Sequence, residues 1–353
     1  MNLQFEIAKY RDELNNHRKR LRRFNPEQLI ILVSKYFRYV DLNIQRARNF
    51  PHNEFYYLLK LTIKCCEIPY YPYTDPTDKD FIRLIENQKL LDGPQLKIAK
   101  ESGDPLIMGL KWLAQFSQFP YQEKPTKTDI GRSIFLFEVE HSRKNLNELF
   151  VNVTGINIRD FFYGCYIVFT MSLEHLFIDR YPNGYDIVFK KETWDRFWPL
   201  VCITFAKIRV ACKRYDLHSD LYEMYSAPII ERYPIIELPS SRNIIPWPSF
   251  VAQRICYGPY DILKDAYGDE FTKQFGLVFQ NYVERLLKIL NEKTGQIFYR
   301  DRDYENNGKQ PDFALPSIDG STIICIEAKA NEDKLSRTFN TEVQHLGKQK
   351  GKC

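Results

Sequence analysis

The pair Asp319-Gly320 constrains this chain more than any other two residues. It separates Ala314-Leu315-Pro316-Ser317-Ile318 from Ser321-Thr322-Ile323-Ile324-Cys325. Asp-Gly between two apolar-rich runs is the strongest short-range hairpin signal, because a type I′ turn needs positive φ at both central residues. With Asp319 and Gly320 as the loop, Ile318 faces Ser321, and counting outward sets Asp312 opposite Glu327. Directly opposed residues lie about 5 Å apart at Cβ on one sheet face. Strand period two then places Lys329 on that face, beside Glu327. Pro316 is the position where a bulge would shift this register.

Two carboxylates that close repel, and one takes up a proton unless a cation sits between them. A hard divalent ion such as Mg²⁺ wants a few carboxylate oxygens and keeps several waters, which leaves room for a phosphate oxygen. A neighbouring lysine can hold the attacking water or the developing charge. Together these groups suit metal-assisted phosphodiester hydrolysis. Pro311-Asp312-Phe313 followed by Ile326-Glu327-Ala328-Lys329 resembles the PD-(D/E)XK nuclease superfamily, with its Pro-Asp on one strand and Glu-x-Lys on the next. The resemblance covers roughly residues 270 to 350. It implies that Asp312, Glu327 and the Ala328 carbonyl hold Mg²⁺ or Mn²⁺, and that Lys329 positions or activates water.

Upstream, Phe279, Val283, Leu286, Leu287 and Leu290 form one apolar stripe, so Gly276 to Leu290 reads as a helix. It resembles the first core helix of the same superfamily, where a glutamate often adds to the metal site. Gln280 occupies that position, and Glu284, one turn on, is the carboxylate that could reach the site instead. Gln296 to Arg300 reads as the first strand and Asp301 to Gly308 as a polar turn. A further helix is expected from about Asn340 to Lys348, with Gln344 as a weak candidate site residue. The resemblance implies a restriction-endonuclease-like core of order helix, strand, strand, strand, helix; the superfamily's next strand is not seen before Cys353, so either the chain is a fragment truncated there or that strand is supplied differently.

The first two-thirds of the chain is different in kind. Leu3 to Phe24 reads as a helix ending in Arg18, Lys19, Arg20, Arg22 and Arg23. These are either cations complementing the helix dipole or a phosphate-contacting patch. Asn25-Pro26 is a helix start, with Asn as N-cap and Pro at the first position. Further helices are expected over Asn53 to Cys66, Asp104 to Phe116, Asp129 to Asn145, Asn157 to His175 and Lys191 to Arg214. Six prolines between Pro228 and Pro259 argue for an extended connector, with Trp247 docking it against a neighbour.

The expected organisation is therefore α+β overall: a helical recognition or regulatory domain over 1–245 and a nuclease domain over 246–353. A charge of +5 permits a nucleic-acid partner without demanding one. The eight cysteines lack metal-ligand spacing and read as reduced core thiols of a cytoplasmic protein, and no run is long and apolar enough for a membrane span. The reading that follows is a Mg²⁺-dependent nuclease acting on DNA in preference to RNA, in a setting such as restriction or anti-phage defence. A protein trigger would act through the helical domain. The alternative is a non-catalytic nucleic-acid- or protein-binding module on a decayed or truncated nuclease core.

Overall fold

The computed structural model describes residues 3–42, 52–66, 73–91, 125, 127–139, 145–214, 230, 232–300, 311–317, 319 and 321–328. The fold is mixed α+β and mostly helical, with two small sheets. Among the described residues no helix is long and apolar enough to cross a membrane. The expected helix over Asp104 to Phe116 lies outside the described residues.

By spatial grouping the chain falls into two compact units, Met1–Thr126 with Tyr163–Ile255, and Lys127–Phe162 with Cys256–Glu332. A single boundary at residue 245 follows chain order alone. The grouping instead joins 127–162 to the segment after Cys256. Ser133 Oγ donates to the Cys256 carbonyl at 2.8 Å, the Tyr267 hydroxyl donates to the Leu149 carbonyl at 3.3 Å, and Phe137 stacks on Phe275 at 5.3 Å.

In the first unit, α1 (Leu3–Leu21), α2 (Pro26–Leu42), α3 (His52–Cys65) and α4 (Asp78–Lys89) supply most of the core. The start of α2 is as the sequence predicts: Asn25 Oδ1 accepts from Glu27 N at 3.1 Å. Thr77 and Asp80 form a reciprocal capping box at the start of α4. Trp247 is buried, stacks on Phe37 at 5.1 Å and meets Phe250 edge-on.

In the second unit, α5 (Lys127–Ile134) runs into a π-helical turn at Phe135–Val139 and is followed by α6 (Leu146–Thr154). Then α7 (Ile158–Glu174) begins, close to its expected span. Returning to the first unit, β1 (Phe177–Ile178), α8 (Lys191–Phe197), β2 (Cys202–Thr204), α9 (Phe205–Arg214), β3 (Ile235–Glu237) and β4 (Asn243–Ile244) follow. The sheet order is β1-β4-β3-β2, with β2 and β3 parallel and the other pairs antiparallel.

Two expectations fail here for identifiable reasons. The single helix over Lys191 to Arg214 is broken: Pro199 cannot continue α8, and Cys202–Thr204, with β-branched Ile203 and Thr204, becomes a strand. The connector is not extended throughout. Ile235 and Ile236 lie in β3 and Ile244 in β4, and Pro248 opens α10 (Pro248–Thr294), where proline is well tolerated. Helical backbone continues past Pro259, and the break falls at Gly268, whose φ of 58° and ψ of −134° no other residue adopts readily.

Gly164 of α7 has a tight neighbour. A Cβ there would come within 2.6 Å of the Phe197 ring, which is fully buried. Gly→Ala inside a helix ordinarily gains about 1 kcal/mol. Overpacking costs about 1–3 kcal/mol and outweighs that gain. Gly164→Ala is expected to lower the midpoint of urea unfolding; a raised midpoint would show that Phe197 yields freely.

Candidate functional site

The second sheet is β5 (Tyr299–Arg300), β6 (Phe313–Pro316) and β7 (Ile323–Ile326), in that order and antiparallel. β6 pairs with β7 as Phe313 with Ile326, Ala314 with Cys325, Leu315 with Ile324 and Pro316 with Ile323. That is the register expected from the Asp-Gly pair, with no bulge at Pro316. The pairing continues towards the turn, where Ser317 N donates to the Thr322 carbonyl at 2.7 Å. Ile318 and Gly320 lie outside the described residues, so the turn type does too.

Asp319 organises the turn through its carboxylate. Oδ1 accepts from Ser317 Oγ at 2.5 Å and from Ser321 N at 3.1 Å. The Ser317 hydroxyl and the Ser321 amide hold the Asp319 carboxyl down to about 2. A turn tied this way fixes the register at one end of the hairpin, and the register sets what meets at the other end.

At that other end, one residue beyond the ladder, Asp312 and Glu327 occupy opposed positions. Asp312 Oδ2 accepts from Ala328 N at 2.6 Å, which anchors the carboxylate over the end of β7. Asp312 Oδ1 accepts from Gln280 Nε2 at 2.5 Å. The helix position that carries a glutamate in the resembled superfamily therefore does reach Asp312, here with an amide. Asp312 is half-buried and Glu327 exposed.

Glu284, the alternative carboxylate, is engaged elsewhere. Arg300 Nη2 of β5 and Lys288 Nζ, the latter at 2.7 Å, both pair with its Oε1. Arg300 was absent from the residues expected at the site. Its signal was present, since the expected first strand ends on that cation beside the Asp312 strand. The face of α10 that carries Gln280, Glu284 and buried Leu287 is thus the one turned to the sheet. The expected apolar stripe is shifted: Phe271, Phe275, Val278 and Leu287 are buried, while Leu286 and Leu290 are exposed. Lys329 and Gln344 lie outside the described residues.

Among the described residues no group of three or more His, Cys, Asp and Glu side chains is gathered for a metal ion. Asp312 is met by the Gln280 amide and the Ala328 main chain, both through N–H, and the register sets the Glu327 carboxylate at the opposed position. This set fits Mg²⁺, which takes one or two carboxylates and keeps its waters, and each Asp312 oxygen has a second lone pair beyond its hydrogen bond. Of the cysteines expected in the core, Cys65, Cys66, Cys165, Cys212 and Cys256 are buried, but Cys325 on edge strand β7 is exposed.

No family model matches the chain, and no curated protein or solved structure is significantly similar to it.

Proposed function

We propose that the protein is a divalent-metal-dependent nuclease of the PD-(D/E)XK type, with DNA favoured over RNA. The observation that carries the reading is the contact of Gln280 with Asp312, at the end of the hairpin where Glu327 stands opposite. Gln280, at the superfamily's extra-ligand position, reaches one strand carboxylate from far away in the sequence, and the hairpin register sets the other carboxylate opposite it.

In this reading Asp312, Glu327 and the Ala328 carbonyl hold Mg²⁺ or Mn²⁺. When bound, the ion supplies a water of lowered pKa and neutralises charge on the phosphate. Gln280 and Ala328 N hold the Asp312 carboxylate in one orientation, which keeps its remaining lone pairs directed. Lys329 holds the attacking water or the charge that develops on the phosphate oxygens. Glu284 and Arg300 act through position, as an ion pair that ties α10 to β5.

The test is incubation of duplex DNA, single-stranded DNA and RNA with Mg²⁺ or Mn²⁺, with Glu327→Ala and Lys329→Ala alongside. Cleavage is expected to need the metal and to disappear in both variants while the circular-dichroism spectrum is kept. Undiminished cleavage in either variant removes this site from the reaction. A second reading, a non-catalytic binding module on the same core, is favoured by Gln280 in place of a carboxylate. It predicts salt-sensitive nucleic-acid binding without cleavage by the unaltered chain.

A further inference from the structure

The first unit carries a concentration of positive charge at the end of α1. Lys19, Arg20, Arg22 and Arg23, at and just beyond the end of α1, are all exposed. Cations in the last turn complement the helix dipole, but Arg22 and Arg23 lie past the helix end. No acidic residue occurs between Leu14 and Pro26. The next one, Glu27, is buried and taken by Ser240 and Arg242 at 2.6 and 2.8 Å.

A second helix brings more cations to the same place. α9 contains no acidic residue, and its Lys207 is exposed in the first turn, where the dipole disfavours a cation. α9 packs on α3 through buried Ile208 and Cys212, and two hydrogen bonds join the end of α1 to the C-terminal end of α3. Arg22 Nε donates to the Cys65 carbonyl at 3.4 Å, and Cys66 Sγ donates to the Leu21 carbonyl at 3.4 Å. Burial pushes the Cys66 thiol up to about 12, and both Arg209 and Arg22 lie near enough to pull against that rise.

We propose that the end of α1 and the exposed side of α9 form one docking face for the phosphate backbone of nucleic acid, without base selection. Guanidinium groups predominate, and their fork suits phosphate oxygens. Five exposed cations from two separate stretches, Lys19, Arg20, Arg22, Arg23 and Lys207, match a ligand whose charge repeats along its length. An anionic membrane would call for apolar side chains beside the cations. On these stretches Val210 is the exposed large apolar residue among the described ones. The inference rests on charge placement and extends the nucleic-acid partner proposed above to the other unit.

The test is binding of a short labelled DNA duplex by the full chain in EDTA, followed by anisotropy over a range of KCl. EDTA removes any cleavage, so this result and the cleavage result can fail separately. Each lost phosphate contact lowers the slope of log K against log salt by about 0.9. Arg20→Gln/Arg23→Gln should therefore reduce the slope by about two and Lys207→Gln by about one, while Lys273→Gln/Lys293→Gln in the second unit leaves it unchanged. The face is ruled out by no binding, by wild-type slopes in the patch variants, by an equal loss in the control, or by binding of phosphatidylserine vesicles in preference to nucleic acid.

Discussion

Gln280→Glu is expected to destabilise the second unit in EDTA by about 3 kcal/mol and to regain that stability when Mg²⁺ is added. Gln280 Nε2 now donates to Asp312 Oδ1 at 2.5 Å. Glutamate removes that hydrogen bond to a charged acceptor and sets a second carboxylate against the first. Without a cation one of the two must take up a proton, so the loss should grow as pH rises through the carboxylate range. With a cation present the same pair becomes a better ligand set, and binding stabilises the folded state by mass action. The four tryptophans, at 112, 194, 198 and 247, all fall within the ranges of the first unit, so their fluorescence is a poor reporter here. Amide exchange at β6, β7 and the second half of α10 reads the effect directly. A variant whose exchange ignores Mg²⁺ and Mn²⁺ would exclude a cation at Asp312. This holds whatever the cleavage assay shows, since the readout is protection and not turnover.

The sequence carries the hairpin clearly because its determinants are local. Asp319 ties the turn with its own carboxylate, and strand period two then carries the register seven residues to Asp312 and Glu327. What the helix contributes was legible in part. The 3.6-residue repeat puts Gln280 and Glu284 on one face, but cannot say which of two residues one turn apart meets which strand partner. That choice is tertiary: Arg300 takes Glu284 and leaves Gln280 to Asp312. The displaced apolar stripe has the same origin. Leu286 and Leu290 satisfy the helical repeat, yet the sheet against α10 is small and leaves them exposed. The proline rule misled in one place and held in another. Pro199 ended a helix as proline does, whereas Pro248 and Pro259 stand within one. The grouping of 127–162 with the segment after Cys256 has no local signal at all, because it depends on contacts such as Phe137 on Phe275 between residues far apart in the chain.

His17 should make the first unit acid-sensitive in a window set by its own titration. Tyr10, Leu14 and Leu21 of α1 share its helical face and are fully buried, and His17 is 2% exposed among them. Neither ring nitrogen has a hydrogen-bond partner. Burial, aided by the charge of Arg20, holds its pKa down at about 4 against an ordinary 6.5. The unfolded chain therefore binds a proton between pH 6.5 and 4 that the folded chain refuses. Stability is unaffected by this residue above pH 6.5, falls as pH drops from 6.5 to 4, and is level again below. The drop amounts to about 3 kcal/mol. Glu27 also has a lowered pKa, since hydrogen bonds from Arg242 and Ser240 outweigh the burial that would raise it. As a depressed carboxylate it loses its contribution only as pH falls below the ordinary glutamate value, so its window begins lower. Urea unfolding followed by tryptophan fluorescence at pH 7.5 and at pH 4 gives the total. His17→Leu then isolates the histidine: an apolar side chain of similar size leaves no buried nitrogen unpaired, so stability at pH 7.5 should be kept or raised and the decline above pH 4 should flatten. A decline unchanged in His17→Leu would assign the acid sensitivity to the carboxylates and leave His17 as an uncharged packing residue at every pH tested.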